Sequence, residues 1–297
     1  MKKSIKRKNT ADTIFIIVNT LFLTIFCIIT LYPILNTLAI SLNEAVDTLI
    51  GGIHLIPRKL TIENYRTVFR MDTLMQGAYI SVLRTVIATG LHIIVTSLLS
   101  YVLSRQEFLF NRQVSLLYVL TMYVSGGMIP GLLLLKSVGL TNTFWVYIIP
   151  GAVSAFNMIV IRTYMNGLPD SLVESAQVDG AGHFRIFLRI IMPLCKPVLA
   201  TVALFIAVGQ WNAWFDVMIY NSGRPDLTTL QYELMKLLSS VSQQIADPNA
   251  MKNASNMVTP ESIRAAATII TAFPIVCLYP FLQRYFISGL TIGGVKE

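Results

Sequence analysis

Charge is scarce in this chain. Only 13% of its 297 residues are Asp, Glu, Lys or Arg, against 54% hydrophobic, which removes it from the soluble globular class. Histidine and cysteine are scarcer still, at three each. His54, His92 and His183 stand far apart with no metal-ligand spacing, so neither a metal centre nor a catalytic cluster is expected. Cys27, Cys195 and Cys277 lie in or beside apolar runs and read as small hydrophobes, with no disulfide framework. A nucleotide-binding loop is missing too. Gly126 and Gly131 have the separation of a phosphate loop's outer glycines, but no Lys-Ser/Thr pair follows and no strand precedes them. Any ATP hydrolysis has to come from another chain.

What the sequence does have is apolar blocks near the length that spans a bilayer's hydrocarbon core, about 20 residues. The net charge of +8 does not point to nucleic acid. Lys and Arg collect on the cytoplasmic flanks of membrane spans, and that explains the excess here. The expected organisation is all-α and polytopic. A basic cytoplasmic amino terminus (1–12) carries Lys2, Lys3, Lys6, Arg7 and Lys8. A first transmembrane helix (13–36) and an outer loop (37–77) follow. A core (78–287) holds five more spans, near 79–103, 114–135, 144–164, 198–220 and 264–286. It also holds a polar segment at 168–197 and a second outer loop at 221–262. A cytoplasmic tail (288–297) ends the chain. The start imitates a signal peptide, but its apolar part is too long and Ala39-Ile40-Ser41 is a weak cleavage site, so a retained helix is expected. Six spans put both termini inside, together with Arg105, Arg112, Arg162, Arg185, Arg189 and Lys196.

Segment 168–197 is polar and ordered-looking among apolar neighbours. Pro169 cannot continue a preceding helix, and Ser171 with Glu174 has the spacing of a capping box. Gly180 and Gly182 supply left-handed positions that stop the helix. A second amphipathic stretch follows, with Phe184, Phe187, Leu188 and Ile191 as its apolar side, closed by Pro193 and Pro197. Two short helices at a glycine corner make a rigid cytoplasmic protrusion. Read without further context, it is a loop with a capped helix.

Its residues add to that. Glu174-Ser175-Ala176-Gln177-Val178-Asp179-Gly180-Ala181 and then Ile191-Met192-Pro193 resemble the EAA loop of ABC importer permeases, with Ser175 for the second alanine and Met192 for a leucine. Asp179-Gly180-Ala181 resembles the carbohydrate-importing branch. So do the "P-x-x-x-T-x-x-N-Y" stretch from Pro57 to Tyr65 and the glycine-rich tail from Ser288. The run Trp211-Asn212-Ala213-Trp214-Phe215-Asp216 is similar to the LplC-type branch, associated with oligosaccharides. The likeness extends from near Pro57 to the last residue.

The resemblance implies a type I ABC importer permease fold with six transmembrane helices and a cytoplasmic EAA-type coupling helix, in a multi-pass protein of the bacterial cytoplasmic membrane. It implies coupling to an ATPase through Glu174, Ser175, Ala176, Asp179, Gly180, Ala181 and Pro193. The chain would bind no cofactor and catalyse no bond chemistry, ATP and Mg residing on a partner ATP-binding subunit dimer. Further implied partners are a second, different permease subunit, an extracellular solute-binding (lipo)protein and membrane lipid, with no nucleic acid. The cargo would be a carbohydrate, an oligosaccharide in particular.

The fifth span is the chemically richest. Indole faces stack on sugar C–H faces while amides bind hydroxyls, so Gln210, Trp211, Asn212, Trp214 and Asp216 are candidates for lining a sugar pathway. For Trp214 and Asp216 an aromatic belt at the outer interface is the competing account. Residues 228–241 have helical spacing (Leu230, Leu234, Leu237, Leu238) and suit either contact with a solute-binding protein or capping of the bundle. His92, alone within a span, is expected to be packed and satisfied, not a proton relay. Asn253-Ala254-Ser255 is a glycosylation sequon by spelling only. The rivals are a permease of the same superfamily for a non-sugar solute, and a secondary carrier. A carrier would show inverted repeats and paired intramembrane ionisable groups, for which only Asp216 and His92 offer themselves.

Overall fold

The longest apolar run forms helix α1 (Thr10–Ser41). From Ile14 to Leu35 its side chains are exposed all round, the property of a helix made for lipid. The computed structural model describes residues 10–244 and 259–291. The basic residues Lys2 to Lys8, the sequon at Asn253 and the end of the tail lie outside the described residues. Contacts divide the chain into two units, one of residues up to Arg70 with Leu237–Ile270, the other of Met71–Lys236 with residues from Thr271 on.

In the first unit, the end of α1 is tied into a small polar knot with helices α2 (Ala45–Leu49) and α3 (Glu63–Phe69). An antiparallel bridge joins Asn43 to Leu60. The Asn64 amide, fully buried, donates to the carbonyls of Ser41 (2.9 Å) and Asn43 (2.8 Å), so the last turn of α1 is satisfied from a distance. Asn43 in turn donates to Asp47 (2.9 Å) and accepts from the Lys59 N–H (2.9 Å). Tyr65 and Ser41 share a 2.7 Å hydroxyl bond. The start of the outer loop expected at 37–77 is therefore folded. Ala39 and Ser41 of the cleavage-like trio are buried at the end of α1.

The second unit is built on α4 (Asp72–Ser104), an unbroken helix of 33 residues. Around it come α5 (Asn111–Tyr123), α6 (Met128–Ser137) and α7 (Ala155–Asn166). Then follow α8 (Ser171–Val178), α9 (His183–Ile186), a π-helical turn (Phe187–Ile191) and α10 (Met192–Leu194). The unit's last full helix is α11 (Lys196–Asn212), followed by the short α12 (Phe215–Tyr220). Helices α13 (Leu230–Gln244) and α14 (Pro260–Thr291) complete the chain. The helix expected around 228–241 is thus present, with Leu230 and Leu234 buried. Gly77 lets α4 approach the backbone at Thr229 and Leu230, where a Cβ would come within 2.9 Å.

Three expected spans are interrupted. Residues 124–127 separate α5 from α6, with Gly127 at φ 88, as the Gly-Gly pair suggests. The fourth opens with a 3-10 turn (Phe144–Tyr147) and is α-helical only from Ala155 on. Between them, the turns around Pro150-Gly151 present carbonyls to α4: His92 Nε2 meets the Ile148 carbonyl at 2.7 Å, and Thr96 donates to the Ala152 carbonyl (3.2 Å). His92 is packed and satisfied, as expected. The fifth breaks at Ala213, which is extended (φ −71, ψ 125). Among the described residues three helices are long and apolar enough to cross a membrane: α1, α4 and α14 through Leu278. The pair His183–Leu194 and Lys196–Asn212, bent by 83°, makes a fourth if taken as one span.

Candidate functional site

Helix α8 does not begin with the expected capping box. Asp170 holds the N-cap position in helical dihedrals (φ −62, ψ −28) and no side chain caps the end. With Asp170 already helical, Ser171 sits inside the first turn, and its hydroxyl is not placed to close on the Glu174 N–H. Asp170 instead faces Arg105 across 3.6 Å.

The other end of α8 accounts for the spacing of the motif. Asp179 is the C-cap and Gly180 takes φ +76. The Gly180 N–H then donates to the Gln177 carbonyl (2.9 Å) and the Ala181 N–H to the Ala176 carbonyl (2.9 Å), the paired bonds of a Schellman turn. Ala176 thus has two tasks, as acceptor in the turn and as a buried contact. With Val173 it packs into a core of Tyr101, Ile161, Met165, Ile186, Phe187 and Ile191. Gly182, by contrast, is extended at φ −71, which corrects the expectation of two left-handed glycines.

The expected apolar side of the second helix is also corrected. Phe187 and Ile191 are buried, but Phe184 and Leu188 are 65% and 48% exposed, and Ile186 takes their place inside. The π-helical turn from Phe187 to Ile191 inserts a residue and shifts the buried face. Glu174, Ser175, Asp179 and Pro193 are exposed as well. The protrusion therefore shows carboxylates together with bare apolar side chains: Val178, Phe184 and Leu188.

Beside α8 lies a polar groove of about 530 Å³, lined by residues that include Arg105, Glu107, Arg162, Asp170, Glu174 and Gln177. Its walls are tied together. Arg162 donates to Ser115 (2.7 Å) and Asn111 (3.0 Å), and Asn111 donates to the carbonyls of Leu103 and Arg105. His183 and Glu107 approach at 3.7 Å. The segment is fixed both to α4 and to the return that follows it.

The second group of expected site residues lies at the break between α11 and α12. Trp211 is 9% exposed, its indole N–H donating to the Thr271 carbonyl at 2.9 Å. It also lines an apolar groove of about 550 Å³ with Thr85, Thr89 and Pro274. Asn212 is exposed and donates back to the Val208 carbonyl (3.0 Å). Trp214 is half-buried against Phe215, the rings meeting edge to face at 5.6 Å.

Gln210 and Asp216 are brought together by a residue that sequence reasoning missed. Arg84 of α4, 1% exposed, donates from Nε and Nη2 to Gln210 Oε1 (3.0 and 2.8 Å). It donates to both Asp216 oxygens as well, from Nη2 at 2.6 Å and Nη1 at 3.3 Å. Its guanidinium lies 4.3 Å from the centre of the Tyr147 ring. The signal was available: a lone arginine inside an apolar run is a functional-site candidate by default. It also corrects the count of intramembrane ionisable groups, which is not limited to Asp216 and His92.

Residues 2–292 match a family described as the binding-protein-dependent transport system inner membrane component. The polygalacturonan/rhamnogalacturonan transport system permease protein YtcP of Bacillus subtilis (strain 168) is 32% identical over 278 residues, 93% of this chain and 96% of the relative. Protein LplC of the same organism is 35% identical over 288 residues, 96% of each chain. A chain from the crystal structure of a bacterial ABC transporter involved in importing the acidic polysaccharide alginate matches with a TM-score of 0.86. It is 28% identical, the match covering 94% of this chain and 98% of that one. The helical architecture is that of an ABC importer permease, and the chain belongs to the family of binding-protein-dependent transport system inner membrane components, multi-pass proteins of the cytoplasmic membrane.

Proposed function

We propose that this chain is the permease subunit of an ATP-driven importer that carries an oligosaccharide across the cytoplasmic membrane. A separate ATP-binding subunit dimer drives it through the α8–α9 segment. The observation that carries the proposal is the construction of that segment, a short helix closed by a Schellman turn, seated on the bundle core, with apolar side chains left bare. Exposed Val178, Phe184 and Leu188 beside Glu174 and Asp179 suit a partner's cleft, because an aqueous surface otherwise gains nothing from three uncovered apolar residues. A unit this rigid passes on displacement instead of absorbing it.

On this reading the chain crosses the membrane six times, with both ends in the cytoplasm. A second, different permease subunit faces it, and an extracellular solute-binding protein delivers the cargo. ATP and Mg are bound by the partner subunits alone. Glu174, Ser175, Ala176, Asp179, Gly180, Ala181 and Pro193 form the coupling element, and Gln210, Trp211, Asn212, Trp214 and Asp216 border the pathway. The carbohydrate assignment is supported by the polygalacturonan/rhamnogalacturonan for which the relative YtcP is named and by the alginate for which the solved transporter is described.

The test is ATP-dependent sugar uptake by the whole complex in proteoliposomes. Glu174→Lys is expected to abolish uptake while the protein stays in the membrane at wild-type amounts. Undiminished uptake, or copurification with no ATP-binding subunit at all, would refute the coupling role.

A further inference from the structure

We propose that Arg84 is a positioning residue of the transport pathway. By holding Gln210 and Asp216 at once, it sets the angle of the α11–α12 break and so aims the side chains presented there. The proposal rests on the transport reading above. Its starting point is a break that its own sequence does not enforce. Neither glycine nor proline stands between Gln210 and Phe215, yet Ala213 leaves the helix in an extended conformation. A break with no local cause has to be held from outside.

Arg84 reaches both flanks. Gln210 is in the last turn of α11 and Asp216 in the first turn of α12, and each takes two hydrogen bonds from the same guanidinium. That group is a planar fork with fixed donor directions, so gripping it on two edges fixes an angle as well as a distance. Asp216 Oδ1 also accepts from the Val217 N–H (3.0 Å), which helps start α12. The grip is anchored on the unbroken α4 and on the Tyr147 ring, whose own hydroxyl donates to the Leu227 carbonyl at 2.6 Å.

Arg84 itself is too buried to meet cargo. What it orients is not. Asn212 is exposed and Trp214 half-buried at the break. The Gln210 Nε2 amide has no partner among the described residues, because Arg84 engages only its oxygen. Ring face and amides are the groups a sugar needs. The paired charges also keep the site neutral, and removing Asp216 leaves the Arg84 guanidinium buried and uncompensated.

The experiment uses the full complex in proteoliposomes. Sugar moved per ATP hydrolysed is measured with loaded solute-binding protein outside. Arg84→Gln and Asp216→Asn are expected to assemble, and Arg84→Gln to keep ATP hydrolysis stimulated by the loaded binding protein. Each should move at least about tenfold less sugar per ATP. The double variant should be no worse than the poorer single one, since both break one clasp. Arg84→Lys, which keeps the charge but not the fork, should fall between. A wild-type ratio in either single variant overturns the proposal, as do fully additive losses in the double. Loss of assembly in all of them makes the clasp a folding element only, which also overturns it. If the wild-type complex moves no sugar at the expense of ATP, the transport reading itself fails.

Discussion

Gly180 and Gly182 look alike in sequence and differ in what they require. At Gly180 the backbone is left-handed, and alanine there costs about 1–2 kcal/mol. At Gly182 φ is −71 and a Cβ would meet nothing within 4 Å. Gly180→Ala is therefore expected to lower the thermal stability of the complex and its uptake, while Gly182→Ala leaves both near wild type. Equal effects would mean that the Schellman turn is not what holds the protrusion. The helix stop at Gly180 was legible because its cause is local, lying within one turn of helix, whereas the packing of Ala176 against Tyr101 and Ile161 was not. The capping box failed as a reading although it is just as local, because Asp170 entered the helix and turned to Arg105. Arg84 could be flagged as a lone charge in an apolar run, but its clasp was illegible for a different reason. Its partners lie 126 and 132 residues along the chain.

Among the elements, the knot after α1 shows how far a polar stretch can be from a loose connection. Asn64 supplies both donors that satisfy the carbonyls of Ser41 and Asn43, so Asn64→Asp keeps the volume and loses the function. It is expected to destabilise the knot by on the order of 2 kcal/mol or more, each buried carbonyl forfeiting its donor. The readout is faster hydrogen exchange over residues 41–66. The knot also has a pH signature. The Asn43 amide bond, and then Arg58, hold the Asp47 carboxyl below its ordinary value of 3.8. A folded pKa below the unfolded one contributes stability that is complete above the unfolded value and is lost as pH falls through the folded one. Protection should therefore stay level from pH 7 to about 5 and drop below about 4, and Asp47→Asn should abolish that drop. Helix breaks were only partly legible. Gly126-Gly127 mark the third span as broken or flexible, but 144–164 was expected as one span despite Pro150-Gly151, and the interruption at Ala213 has no breaker residue and depends on a tertiary clasp.

At the scale of the whole molecule, the open quantity is the number of crossings, and one position decides it. Among the described residues, length and apolarity admit α1, α4, the bent pair and α14, four at most. The six-fold account adds α5–α6 as one broken crossing and 144–166 as another. These are the two stretches that a length filter cannot see, since each is assembled from short pieces. The two counts agree on most positions. Both put residue 60 outside and residue 175 inside when the amino terminus is cytoplasmic. They disagree at Lys136. With six crossings it lies on the outer turn after α6, and with four it stays in the cytoplasm together with Ser175. Single cysteines at Leu60, Lys136 and Ser175, all exposed, can be placed in a background where Cys27, Cys195 and Cys277 are replaced by serine. They are then treated in intact cells with a membrane-impermeant maleimide. Leu60→Cys and Lys136→Cys should react at once, and Ser175→Cys only after permeabilisation, with bound ATP-binding subunit slowing it further. Lys136→Cys silent in intact cells would reduce the count to four. Ser175→Cys reacting there would put the α8–α9 protrusion on the wrong face for any ATP-driven partner.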